Sequence, residues 1–115
     1  MLQRIEHPQD ADRDYDFAVT DEQGVAENVT GWTFAFTVWN ELAETPAILF
    51  EGTNAGGGVV VDVASSGLGR IRVAKSVVGS FSPGRYRFEF TALKGSTPDV
   101  LQSGVFILLP KKPTT

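Results

Sequence analysis

Four aspartates near the start of the chain have a spacing that suggests metal binding. Asp10, Asp12, Asp14 and Asp16 recur at every second position, and calcium is bound by several carboxylate oxygens at short spacing. An EF-hand loop begun at Asp10, however, would place Tyr15 where that loop requires glycine. We therefore favour an acidic stripe on the outer side of a strand, which also discourages pairing at a sheet edge.

Few other groups are suited to catalysis. The chain has one histidine, His7, and no cysteine, so a zinc site of several histidines or thiolates is excluded, and His7 is predicted to be solvated ahead of Pro8. The triple glycine at 56–58 lacks the Lys-Ser/Thr ending of a phosphate loop and predicts a turn. We expect no enzymatic activity, cofactor or metal; a hydrolase using Asp14 and Asp16 is the weakest alternative.

Composition narrows the class of protein further. The chain has 115 residues, of which 42% are hydrophobic and 21% charged, with a net charge of -4. This length suits one domain, and the acidic balance argues against nucleic-acid binding, which requires clustered Lys and Arg. No apolar run approaches the roughly 20 residues needed to cross a bilayer. The first residues lack the pattern of a signal peptide, so we expect synthesis and retention in a cytoplasm.

Alternation of apolar and polar residues predicts short strands separated by turns. The clearest strand follows the Pro83-Gly84 turn, with Tyr86, Phe88 and Phe90 on one face. Repeated strands of this kind predict an all-β fold, an antiparallel β-sandwich, with a small barrel as the alternative. Residues 75–80 are predicted to form one helical turn. The predicted core residues are Trp32, Phe34, Phe36, Ile71, Val73, Tyr86, Phe88, Phe90 and Ile107, with Leu101, Val105 and Leu109 as further candidates from the last strand.

The predicted organisation is an N-terminal arm over residues 1–12, the sandwich over 13–109 and an extended tail over 110–115. Tyr86 follows the crossover at 75–83, so its hydroxyl is predicted to bond the crossover backbone as the tyrosine corner of immunoglobulin-like folds does. Trp39 is predicted on the outer side of its strand, where an indole suits an interface, ordinary packing or, less readily, sugar stacking.

Six short motifs follow one another along the chain in a characteristic order. The first half carries Arg13-Asp14-Tyr15-Asp16-Phe17-Ala18-Val19-Thr20, then Asp-x-x-Gly at 21–24, then Val-Thr-Gly-Trp at 29–32. The second half carries Gly-Arg-Ile-Arg-Val at 69–73, Phe-x-Pro-Gly-x-Tyr-x-Phe-x-Phe at 81–90 and Gly-Val-Phe-Ile-Leu-Leu-Pro at 104–110. This order resembles that of small immunoglobulin-like domains of tailed-bacteriophage virion proteins, a group that includes the N-terminal domain of phage baseplate upper proteins.

The resemblance implies that the all-β fold is a single antiparallel immunoglobulin-like β-sandwich of about seven to nine strands. It also implies a virion structural protein, made in the host bacterial cytoplasm and multimeric in the particle. The leading hypothesis is a non-enzymatic assembly or adaptor module of a tail, baseplate or fibre. Its partners would be other virion proteins, with no nucleic acid and no membrane. The alternatives are a capsid decoration or head-fibre base protein, and a carbohydrate-binding module that uses Trp39 and Tyr86.

The predicted interface combines the outward tryptophan, the loop after it and both termini. These are the places where a small domain with a polar outer face can anchor a partner. The predicted interface residues are Leu2, Ile5, Trp39, Asn40, Glu41, Leu42, Pro110, Lys111 and Lys112.

Overall fold

The alternating segments form strands in the computed structural model, which describes residues 4–40 and 47–110. In chain order the elements are β1 (Arg4–Pro8), β2 (Arg13–Ala18), β3 (Thr33–Asn40), β4 (Ala47–Thr53), β5 (Val59–Val63), β6 (Leu68–Val73), the helical turn α1 (Lys75–Val78), β7 (Gly84–Lys94) and β8 (Thr97–Leu109), with a 3-10 turn at Ala64–Ser66. One sheet has the order β1-β8-β7-β3-β4 and the other has the order β2-β6-β5. The predicted all-β sandwich is confirmed. Within these described ranges no helix has the length and apolar character to span a membrane.

Aromatic rings fill the space between the two sheets. The ring of Phe17 on β2 lies 4.9 Å from that of Phe90 on β7 and 5.4 Å from that of Phe34 on β3, so the layers interlock through ring contacts. Phe36 and Phe88 continue the same contact along the sheet, with ring centroids 5.6 Å apart. Of the predicted core residues, Trp32 is only partly buried and Ile107 lies outside the core; the other seven are buried.

The last strand turns a different face to the core from the one the sequence predicts. Val100 pairs with Thr91 and Gln102 pairs with Phe90, so Leu101 is an extra residue in a β-bulge. The bulge shifts the alternation by one position, and Phe106 and Leu108 enter the core in place of Val105, Ile107 and Leu109. Leu101 is partly buried against the core, as predicted.

The N-terminal segment is a strand rather than an arm over Arg4–Pro8. It runs parallel to β8, with Ile5 opposite Phe106 and His7 opposite Leu108. Ile5 is 2% exposed, so its assignment to a partner interface is wrong: the side chain fills this protein's own core. The parallel pairing of β1 with β8 also corrects the prediction that all strand pairs of the sandwich are antiparallel.

Tyr86 forms the predicted tyrosine corner. Its ring is 8% exposed, and its hydroxyl donates a hydrogen bond of 2.5 Å to the carbonyl oxygen of Ser82 in the crossover. The bond ties the start of β7 to the segment that carries α1. A buried Tyr86 ring has no face to offer a sugar, so its proposed part in carbohydrate binding is wrong.

Removal of this hydroxyl should weaken the fold slightly. Tyr86→Phe keeps the ring and loses one hydrogen bond, so we expect the free energy of unfolding to fall by about 1 kcal/mol. Urea denaturation of the two proteins side by side measures the difference. Superimposable curves would contradict a stabilising corner.

Candidate interaction surface

The outer face of the five-stranded sheet is the surface on which the outward-facing residues converge. Directly paired residues share a face of a sheet, so the register defines rows across it. One row runs Ile48, Trp39, Arg87, Val105, Arg4 from β4 to β1; a second runs Glu51, Thr37, Glu89, Ser103. A third contains Arg85, Ile107 and Glu6. We call these three rows the outer face.

Trp39 lies on this face as the sequence predicts, although its side chain is partly buried. Its neighbour Ile48 on β4 is 64% exposed, and a bulge beside Val38 sets the two opposite each other. Val105 and Ile107, displaced from the core by the bulge in β8, add further partly exposed apolar surface. Sequence reasoning missed these three aliphatic residues. The signal was the unbroken apolar run at 105–109 for Val105 and Ile107, and the shorter apolar run at 47–50 for Ile48, because such a run supplies both faces of a strand.

Charged groups on the outer face balance one another. Arg4 donates from Nη2 to Oε1 of Glu6 at 2.8 Å, and the hydroxyl of Thr37 donates to Oε2 of Glu51 at 2.8 Å. Three arginines and three glutamates stand in the three rows, so the face is neutral although the whole chain carries -4. The outer face is therefore a mixed apolar and polar surface, the composition typical of non-obligate protein interfaces.

Two of the remaining predicted interface residues lie within the described ranges, and neither belongs to the three rows of the outer face. Asn40 is partly buried at the end of β3, opposite Ala47, and Pro110 is exposed directly after β8. The other predicted residues, Leu2, Glu41, Leu42, Lys111 and Lys112, lie outside the described residues. Their place in the interface stays a prediction.

His7 is buried, which corrects its prediction as a solvated residue. Its side chain is 0% exposed and stacks on Phe106, with ring centroids 6.1 Å apart. Nε2 lies 2.8 Å from the carbonyl oxygen of Ala11, which can only accept, so Nε2 carries the proton. Nδ1 then accepts from the hydroxyl of Tyr15 at 2.7 Å. Burial raises the pKa of Tyr15 to about 12, which keeps this hydroxyl a donor.

The buried ring should make stability depend on pH. Loss of solvation lowers the pKa of His7 from its ordinary 6.5, with the Ala11 bond and Asp12 opposing the shift and Arg13 adding to it. Because the unfolded chain then binds more protons, the contribution of His7 is present above about pH 6.5 and is lost as pH falls through its folded-state pKa.

Urea unfolding at pH values from about 7.5 to about 5 measures this dependence. The parent should lose more stability over that range than His7→Gln, in which the titrating group is gone. Equal slopes in the two proteins would contradict a buried neutral histidine.

Two of the aspartates that suggested a metal have structural partners. Asp14 contacts Arg70 at 3.0 Å and Arg72 at 3.4 Å, and Asp12 accepts the backbone N–H of Lys75 at 2.7 Å at the start of α1. Within residues 4–40 and 47–110, no three His, Cys, Asp or Glu side chains come together in a way that could hold a metal ion. The ion pairs of Asp14 fit the predicted acidic stripe on the outer side of β2.

A groove of about 640 Å³ lies between β4 and the near end of the smaller sheet. Phe36 and Phe50 line its apolar part, and Asp14, Arg72 and Lys75 are among its polar lining residues. The contact between Asp14 and Arg72 spans its rim. We assign this groove no chemistry, because Asp14 and Arg72 pair with each other and, among the described residues, the remaining polar lining forms no catalytic or metal-binding group.

Comparison with known proteins supports the architecture. The chain is similar in fold to the N-terminal domain of phage TP901-1 ORF48, with a TM-score of 0.52 at 15% sequence identity. The match covers 94% of this chain and 84% of that domain's chain. No protein-family model matches the sequence, and no curated protein matches it. At this identity the likeness establishes a shared fold.

Proposed function

We propose that the protein is a non-enzymatic structural component of a tailed-phage virion, an assembly or adaptor module associated with the tail, baseplate or fibre. The observation that carries the proposal is the fold shared with a phage domain over 94% of the chain. It agrees with the independent resemblance of the motif order to virion domains. The module would act by binding other virion proteins in multiple copies.

The outer face is the surface we assign to this role. It combines a partly exposed indole, an isoleucine that is 64% exposed and arginines, and tryptophan and arginine are the residues most enriched among energetically dominant interface contacts. The smaller sheet presents a different chemistry. Its outer surface is crossed by the ion pairs that Arg70 makes with Asp14 at 3.0 Å and with Asp62 at 3.1 Å.

Mass spectrometry of phage particles tests the proposal. Particles purified from a lysate by density-gradient centrifugation should contain the chain at a fixed ratio to the major tail or capsid protein. A chain that is abundant in the lysate and absent from purified particles would overturn the proposal. Antibody labelling seen by electron microscopy would separate a tail position from the alternative of capsid decoration or a head-fibre base.

A further inference from the structure

The charges on the outer face are arranged so that the face is complementary to itself. Arg87 and Glu89 are successive outward residues of β7, and successive residues on one face stand about 7 Å apart along a strand. Arg85 and Arg87 therefore stand towards one end of the face, with Glu51 and Glu89 towards the other. The ion pair of Arg4 and Glu6 lies at the same end as the two arginines and adds no net charge there. The face has a basic half and an acidic half.

We propose that the outer face is a homodimer interface, occupied by the same face of a second copy of this chain. The inference rests on the proposed function for its setting, a particle with many copies. A two-fold axis lying between the faces, perpendicular to the strands, places each basic half over the other copy's acidic half. A two-fold axis parallel to the strands would set like charges against each other, so charge selects the first arrangement.

The central position of β7 makes the pairing specific. β7 is the third of the five strands, and sheet twist displaces central strands least when two sheets pack face to face at about 10 Å. With the axis between the rows of Arg87 and Glu89, each Arg87 lies over the Glu89 of the second copy. In the same arrangement Trp39 lies over Thr37 of the second copy and Ile48 lies over its Glu51.

Neutrality and size set the strength of this contact. The charges of the three rows sum to zero, so the net charge of the face does not oppose the association of two copies. Five strands at about 4.8 Å spacing span about 19 Å, and three rows on such a sheet cover less than the roughly 800 Å² per partner of a standard interface. We therefore expect a weak dimer in solution, strengthened by multivalency in an assembly.

Charge reversal gives a test that only a self-complementary face passes. R87E sets glutamates of the two copies against each other, and E89R does the same with arginines. Each variant should raise the dimer dissociation constant at least about tenfold. An equimolar mixture of R87E and E89R should associate about as well as the parent, because each basic group then faces an acidic one. The double variant R87E/E89R should also dimerise.

Sedimentation velocity of the full chain at about 10 µM to about 1 mM and low salt measures these constants. Circular dichroism and thermal midpoints show whether each variant is folded. If a single variant is unfolded, the dimer dissociation constant of the double variant R87E/E89R tests the proposal instead. A parent that stays monomeric over the whole range, or a mixture that associates no better than its components, overturns the dimer and leaves the face to a different partner. Absence from virions would overturn the proposed function and leave the dimer standing.

Discussion

Phe88→Ala should lower the free energy of unfolding by about 3 to 5 kcal/mol, the range observed when a buried phenylalanine is truncated. Phe88 is 2% exposed on the central strand of the larger sheet, and its ring lies 5.6 Å from that of Phe36. This loss is a large fraction of the free energy of unfolding of a whole domain, which is typically about 5 to 15 kcal/mol. Much of the variant should therefore be unfolded at 37 °C.

Thermal and urea denaturation measure the effect, with Glu89→Thr as the matched control. This control changes the next residue of the same strand on the opposite face, and we expect it to alter stability by no more than about 0.5 kcal/mol. Comparable losses in both variants would contradict the assignment of the two faces of β7.

Gly69→Ala should destabilise the protein by about 3 kcal/mol, the upper part of the range for overpacked cores. A Cβ at this position would overlap the ring of Phe17 and the carbonyl oxygen of Val60, so backbone as well as side chain would have to move. Gly69 lies on β6, the middle strand of the smaller sheet, where it pairs with both neighbouring strands. The absence of a side chain is what lets Phe17 lie across it.

A double variant separates the two overlaps. Phe17→Leu alone costs packing, but in combination with Gly69→Ala it removes one of the two clashes, so the two losses should sum to more than the double variant shows. Gly56→Ala is the control, because this turn glycine has only the hydroxyl of Thr53 within 4 Å. Strict additivity in urea denaturation would contradict the packing of Phe17 on Gly69.

Local alternation predicted most of the strands, because each strand buries one face and exposes the other. It failed where a single residue changed the register. Leu101 is the extra residue of a bulge, and without it Val105 would lie opposite Tyr86 and Ile107 opposite Gly84. The core residues that alternation predicts for β8 are those that would face the core in this unbulged register. A bulge depends on the partner strand, so periodicity within one strand does not reveal it.

The prediction for the N-terminal segment failed for a different reason, because the strand that it pairs with is distant in the sequence. Ile5 and His7 alternate with Arg4 and Glu6, which is a strand pattern, but the partner strand lies about a hundred residues away along the chain. His7 is buried because Tyr15 and Ala11 satisfy both ring nitrogens, an arrangement that only the tertiary fold creates. The outward position of Trp39 needed no such information, since the alternation of β3 sets it.

The central claim is that this chain is a virion component that assembles through the outer face, and incorporation of surface variants into particles tests it most directly. Phage particles would be assembled in three cultures, whose cells supply the parent chain, the Trp39→Ala variant or the Val25→Ala variant. Val25→Ala is the control, because Val25 is 60% exposed and lies outside the outer face. Quantitative mass spectrometry of purified particles should find the parent and Val25→Ala at equal copy number, with Trp39→Ala reduced at least about tenfold. Equal copy number for all three, or absence of all three from the particles, would contradict the account.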